Sequence, residues 1–260
     1  EQYHGAVVDH LGKDDTRSFR EVAEVGALLK KIAPAAGTLV KAKTALLFDW
    51  DNRWAIQDVK ALSENTKNYE KTCIGIWKEF QKLGVEMDVV SSNDDLSDYK
   101  VVVAPMLYLL QSGTAENLQK FVKNGGQLLA TYFTGYVDKD TLCYLGGFPG
   151  DGLAELFGVI SEEIDTLYPS DRNSLCFLDG KKWTVYDYAE ILRVQDAQIL
   201  ASYGTDFYEG SAALTVKEWE SDTHTVENGR AYYIAAIVAP EEMGSLFETM
   251  LANAGIAVKD

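Results

Sequence analysis

Val101-Val102-Val103-Ala104 is an apolar run with no polar residue at alternate positions, the pattern of a strand covered on both faces. This run constrains the fold most strongly, because a strand covered on both faces needs helices above and below it and therefore crossover connections. The flanking sequence supplies them. A strand over 44–49 begins the series, and a helix over 68–83 closes at Gly84. Strands over 86–90 and 100–105 follow, then a helix over 114–123 that ends at Asn124-Gly125-Gly126, then a strand over 127–132. The order predicts the α/β class, with a doubly wound, Rossmann- or flavodoxin-like parallel sheet.

The segment from Asp140 to Gln198 is less regular, with glycine and proline turns over 146–150 and short β-like runs near 159–164 and 175–178. Strands are expected again over 198–203, 212–216 and 230–237, with a closing helix over 241–254 after Pro240. Upstream, a strand-like start and a polar loop (10–16) lead into an amphipathic helix over 17–32, whose Phe19, Val22, Ala23, Val25, Gly26 and Leu29 recur at helical spacing. Ala33-Pro34-Ala35-Ala36-Gly37-Thr38 has linker composition. A domain boundary is expected there, separating 1–38 from a core domain over 39–260. The chain opens on Glu1 rather than on methionine, so it is expected to be a piece of something longer.

Charge narrows the partners. A formal charge of −16, with only 24 dispersed Lys and Arg, excludes a polyanion as the expected ligand, because neutralising phosphates needs clustered cations. No stretch approaches the ~18 consecutive apolar residues of a membrane span, and the N-terminus lacks a basic and apolar leader pattern. Cys73, Cys143 and Cys176 are odd in number and outside any CxxC spacing, so a reducing compartment is expected, with neither a disulfide framework nor a zinc site.

No complete set of catalytic residues emerges. GxGxxG is absent after every expected strand, and the first strand runs instead into Asp49-Trp50-Asp51-Asn52, whose carboxylates repel phosphate. Asp49 and Asp51 could serve a cation or acid–base role, but a solvated loop with a capping Asp or Asn is the expected use. A cysteine nucleophile on a strand-to-helix elbow, as in class I glutamine amidotransferases, needs an activating histidine. The equivalent turn here is Tyr132-Phe133-Thr134-Gly135, without cysteine, and the three histidines are His4, His10 and His224, the last in a polar turn. GxSxG is absent, and the Glu162-Glu163-Ile164-Asp165 cluster reads as an exposed edge rather than as the paired carboxyls of a glycosidase. No cofactor is expected. Trp50, Trp54 and Tyr108, near the C-terminal edge of the sheet, suit either a ligand crevice or an interface.

Several stretches carry a resemblance. Glu1-Gln2-Tyr3-His4-Gly5-Ala6-Val7-Val8-Asp9-His10 and Arg17-Ser18-Phe19-Arg20-Glu21-Val22 are similar to the end of the catalytic barrel in glycoside hydrolase family 42 β-galactosidases. Leu47-Phe48-Asp49-Trp50-Asp51-Asn52, Val102-Val103-Ala104-Pro105-Met106-Leu107-Tyr108, Thr131-Tyr132-Phe133-Thr134-Gly135 and Gly146-Gly147-Phe148-Pro149-Gly150 resemble that family's central domain in order and spacing. So do 201–208 and 229–234. The resemblance implies that 1–38 is the remnant of a (β/α)8 barrel and that 39–260 is an amidotransferase-like but inactive trimerisation domain. It further implies a cytoplasmic homotrimer whose whole protein hydrolyses terminal β-D-galactosides with retention. The catalytic glutamates would lie upstream, so no catalytic residue is expected here. In the family's pattern Glu1 and His4 occupy positions that contact galactose hydroxyls, chemistry that a carboxylate and an imidazole suit. The competing expectation is a free-standing amidotransferase-like enzyme or small-ligand binding protein.

Overall fold

The computed structural model describes residues 7–8, 10–60, 62–140, 142–220 and 228–258. The chain divides into two compact units, one up to Lys41 and one from Ala42 onward. In the first, helix α1 (Arg17–Ile32) begins where Thr16, in extended conformation, accepts a hydrogen bond from the Phe19 N–H, and it ends on Lys30 and Lys31, which complement the helix dipole. None of its residues is buried, and Val22, Val25, Leu28, Leu29 and Ile32 are each at least half exposed along one stripe. Thr16→Ala is expected to remove about 1 kcal/mol of local helix stability. Hydrogen exchange at the α1 amides would then accelerate roughly fivefold.

The second unit holds β1 (Thr44–Leu47), α2 (Trp50–Asp58), α3 (Tyr69–Lys82), β2 (Met87–Val90), β3 (Val101–Ala104), the short β4 (Leu109–Leu110) and α4 (Thr114–Lys123). These are followed by β5 (Gln127–Thr131), the short β6 (Val137–Asp138), α5 (Leu153–Phe157), β7 (Val159–Thr166), β8 (Asn173–Phe177) and β9 (Lys182–Val194). β10 (Gln198–Tyr203), β11 (Ala212–Trp219), β12 (Gly229–Ile234), β13 (Ala236–Val238) and α6 (Gly244–Asn253) complete it. One sheet runs in the order β13-β9-β8-β10-β11-β12-β5-β3-β1-β2, with β7 paired to β9. From β12 to β2 every pairing is parallel, as the apolar strands require. From β12 to β13 every pairing is antiparallel.

The doubly wound half is therefore as expected, and the stretch beyond Asp140, where turns and short β-like runs near 159–164 and 175–178 are expected, extends it as an antiparallel sheet. β9 is thirteen residues long and pairs with β7, β8 and β13, so one strand organises that half. Alternation of side chains along the parallel strands makes two cores. Leu46, Val101, Val103 and Leu129 meet Ile76 and Phe80 of α3 and Phe247 of α6 on one face. Ala45, Leu47, Val102, Ala104 and Leu128 meet Leu118 and Phe121 of α4 and Leu156 of α5 on the other. Gly75 lets α3 close onto the turn before α6, where a Cβ would lie 2.6 Å from the Pro240 ring.

Candidate functional site

In an open α/β sheet the ligand crevice lies beyond the carboxyl ends of the parallel strands. Here β1 runs into Asp49, which takes the N-cap position of α2 without capping it through its side chain. Its buried carboxylate instead accepts from Ser91 Oγ at 2.6 Å and from the Ser92 N–H, tying the end of β1 to the end of β2. Asn52, one turn into α2 and wholly buried, donates Nδ2 to the Met106 carbonyl at 2.9 Å and accepts from the Leu109 N–H at 2.9 Å. It so holds the loop after β3, where Met106 adopts φ 44° and its N–H donates to Thr131 Oγ1 at 2.8 Å. One amide side chain thus satisfies two buried backbone groups at a strained turn.

The turn after β5 has the backbone of an elbow. Phe133 sits at φ 69°, a left-handed conformation unusual for a bulky residue, and its N–H donates 2.9 Å to Glu190 Oε1. Glu190, on β9, is fully buried. Tyr136 and Tyr188 hydroxyls also meet Oε1, at 3.0 and 3.1 Å, and Tyr233 donates to Oε2 at 2.7 Å. Burial pushes the Glu190 carboxyl above the usual carboxylate range, against the lowering effect of those four donors. Burial also raises the Tyr136, Tyr188 and Tyr233 phenols, and the nearby Glu190 charge adds to it.

Aromatic rings close the rest of the crevice. Tyr136 stacks on Phe148 at 3.5 Å between centroids, and Phe133 packs against Tyr108, Tyr136 and Tyr188. Gly135, at φ 71°, permits the approach of the 146–150 loop, because a Cβ there would stand 2.6 Å from the Gly150 nitrogen. The one carboxylate at the elbow is saturated by internal donors and the elbow position itself carries a phenyl group. This arrangement rigidifies; it offers a substrate neither a nucleophile nor a proton acceptor.

Among the described residues, those singled out from sequence are not brought together. Glu1, His4 and His224 lie outside the described residues. Asp49 is not in a solvated loop as expected, because the serines after β2 bury and satisfy it, whereas Asp51 is exposed and accepts from Gln111 at 2.7 Å. Cys73 is buried, which raises its thiol to about 12, Cys143 is exposed and Cys176 is half-buried. Glu162, Glu163 and Ile164 lie exposed on β7, at the margin of the sheet. Among the described residues no group of three or more His, Cys, Asp or Glu could hold a metal ion, and no helix is long and apolar enough to cross a membrane. Trp50 and Trp54 of α2 are more than half exposed, while Tyr108 is partly buried against Phe133. Glu190 and Asn52 were not anticipated. The signal for Glu190 was a lone carboxylate in the apolar run Tyr188-Ala189-Glu190-Ile191-Leu192.

Fold and crevice together define a Rossmann-like α/β domain whose ligand position is filled by its own side chains. The chain belongs to the β-galactosidase trimerisation domain family, whose model matches residues 42–257. It is 42% identical to β-galactosidase BglY of Alicyclobacillus acidocaldarius over 99% of this chain and 37% of that protein. To β-galactosidase Pbg of Clostridium perfringens it is 42% identical over 90% of this chain and 34% of that protein. Among solved structures, Gan42B, a GH42 β-galactosidase from G. stearothermophilus, superimposes with a TM-score of 0.84 at 37% identity, covering 98% of this chain and 36% of that one. The β-galactosidase of Bacillus circulans sp. alkalophilus gives 0.84 at 32% identity, covering 98% and 38%. The chain thus spans little more than a third of the length of the relatives it matches.

Proposed function

We propose that this chain is the assembly region of a longer, cytoplasmic β-galactosidase that works as a homotrimer. Residues 1–38 are the end of its catalytic barrel and 39–260 its trimerisation domain. The whole protein removes terminal β-D-galactose from galactosides with retention, and its catalytic glutamates belong to a part of the barrel outside this chain. Glu1 and His4 bind galactose hydroxyls there. Neither nucleic acid, a membrane nor a cofactor takes part. The observation that carries this reading is the filled crevice: Glu190 ringed by three tyrosines and a backbone N–H, on the scaffold of the β-galactosidase trimerisation domain family. A free-standing amidotransferase-like enzyme would need that crevice open.

The chain alone is expected to release no chromophore from a chromogenic β-galactoside above the buffer rate, while brief amine crosslinking of the same preparation gives a ladder ending at three chains. Turnover by the chain, or a ladder that stops at one, would overturn the reading.

A further inference from the structure

On α2, Trp50, Arg53, Trp54 and Gln57 fall at three- and four-residue spacings and so share one face of the helix. That face carries two indoles, a guanidinium and an amide. Trp50 and Trp54 are each more than half exposed, with ring centroids 6.1 Å apart and ring planes inclined at 35°. The Arg53 guanidinium lies 5.5 Å from the centre of the Trp50 ring, and its Nη1 donates to Gln57 Oε1 at 3.2 Å. α2 is anchored in the fold by Asn52, Ala55 and Ile56, so its burial does not call for two large aromatic rings on the opposite face.

Beside that face, between α2 and the start of α3, a cavity of about 200 Å³ is lined by Arg53, Gln57, Lys67, Asn68, Glu70 and Lys71. Its charges are matched in pairs. Arg53 Nε meets Glu70 Oε1 at 2.5 Å, and Lys67 Nζ meets Glu64 Oε1 at 2.8 Å, the Lys67 side chain being only 7% exposed. A charged ligand would therefore find its counter-charge already engaged. Hydroxyl groups ask for less, because Arg53 and Lys67 have more N–H donors than these bonds consume and the amides of Gln57 and Asn68 both donate and accept.

Exposed aromatic faces next to planar polar groups suit one ligand chemistry in particular. A pyranose ring has apolar C–H faces that stack on an indole and a rim of hydroxyls that needs donors and acceptors in the ring plane. A wholly apolar ligand would meet a polar lining in the cavity. A planar aromatic ligand would need two parallel rings to lie between, which the 35° inclination denies it. Pockets for drug-sized ligands begin at about 300 Å³, so this smaller cavity takes a single sugar ring, and further rings of a chain would lie over the tryptophans.

The geometry points to a non-catalytic binding site for a neutral saccharide chain, with one ring in the Arg53–Gln57–Asn68 cavity and its neighbours stacked on Trp50 and Trp54. That the chain is built of galactosyl units rests on the reading above; the site itself does not. The test is isothermal titration calorimetry of the full 260-residue chain with galactotetraose and, separately, with cellotetraose. Saturable binding of galactotetraose is expected. Trp54→Ala should weaken it at least about tenfold, through the lost stacking surface, and Gln57→Ala about fivefold, the worth of one hydrogen bond. Trp54→Phe keeps a ring on the platform and should restore binding to within about threefold of the unmodified chain. Folding of each variant is checked by its near-UV spectrum, and the exposed Gln57 supplies the test should Trp54→Ala not fold. Binding of cellotetraose alone, lost in the same variants, would uphold the site and count against the galactosidase reading. Failure of the unmodified chain to bind either tetraose would overturn the inference, as would binding left unchanged by both Trp54→Ala and Gln57→Ala, which would put the sugar elsewhere on the chain. Neither of those failures touches the assembly reading, which is measured by mass.

Discussion

Replacing Glu190 by alanine is expected to destabilise the fold by about 3–5 kcal/mol, a large share of the stability of a domain this size. The Phe133 N–H and the Tyr233 hydroxyl lose their acceptor, and the Tyr136–Tyr188 hydroxyl pair, 2.6 Å apart, loses the carboxylate oxygen that both approach, all in a buried site. Urea unfolding followed by tyrosine fluorescence reads the shift in midpoint. Glu190→Gln keeps the shape and an acceptor and should cost less, and its pH dependence separates charge from packing. Burial raises the folded-state Glu190 carboxyl, so the folded chain holds that proton more tightly than the unfolded chain. Wild-type stability from this group is then greatest below the unfolded value near 4.5 and falls as pH rises towards the higher folded value. Glutamine does not titrate. The stability gap between wild type and Glu190→Gln should accordingly narrow as pH rises across that window, and a gap that widens would contradict the assignment.

Asn52→Ala is expected to cost about 2–4 kcal/mol, since the Met106 carbonyl and the Leu109 N–H are both left buried without a partner. The loop it releases contains the positive-φ Met106, so the change should also loosen the crevice after β3. Asn117→Ala is the control. Asn117 also bridges two backbone groups, donating to the Ser92 and Asp94 carbonyls, but water can replace it at that more exposed site, and a loss of about 1 kcal/mol is expected. Equal losses at both positions in chemical denaturation would show that burial of the bridge is not what matters.

These two residues also mark where sequence reasoning stopped. The parallel half was legible because its signals are local: Val101-Val102-Val103-Ala104 requires two covered faces, and α3 and α4 show a helical period with a stop at Gly84 or at Gly125-Gly126. α2 was not. It buries just Asn52, Ala55 and Ile56 and exposes two tryptophans, so its period is weak, and Asp49-Trp50-Asp51-Asn52 has the composition of a turn. Asp49 looks solvated until β2 is paired beside β1, which brings serines 42 and 43 residues downstream onto its carboxylate. The burial of Glu190 depends on residues from β9, β12 and the turn after β5 meeting at one point, and no window of sequence contains them. The 146–150 motif was legible as a likeness before its use was: Phe148 is the ring that stacks on Tyr136 and helps to close the crevice.

Among the described residues, the elbow after β5 carries Phe133 and packs its own side chains into the crevice. The buried glutamate–tyrosine network ties the turn after β5 to β9 and β12.

The most direct measurement of the central claim is the solution mass of the 260-residue chain by light scattering across a dilution series. A mass of about 86 kDa, three times 28.8 kDa, is expected, persisting until dilution dissociates it. A mass of one chain at the highest soluble concentration would contradict it.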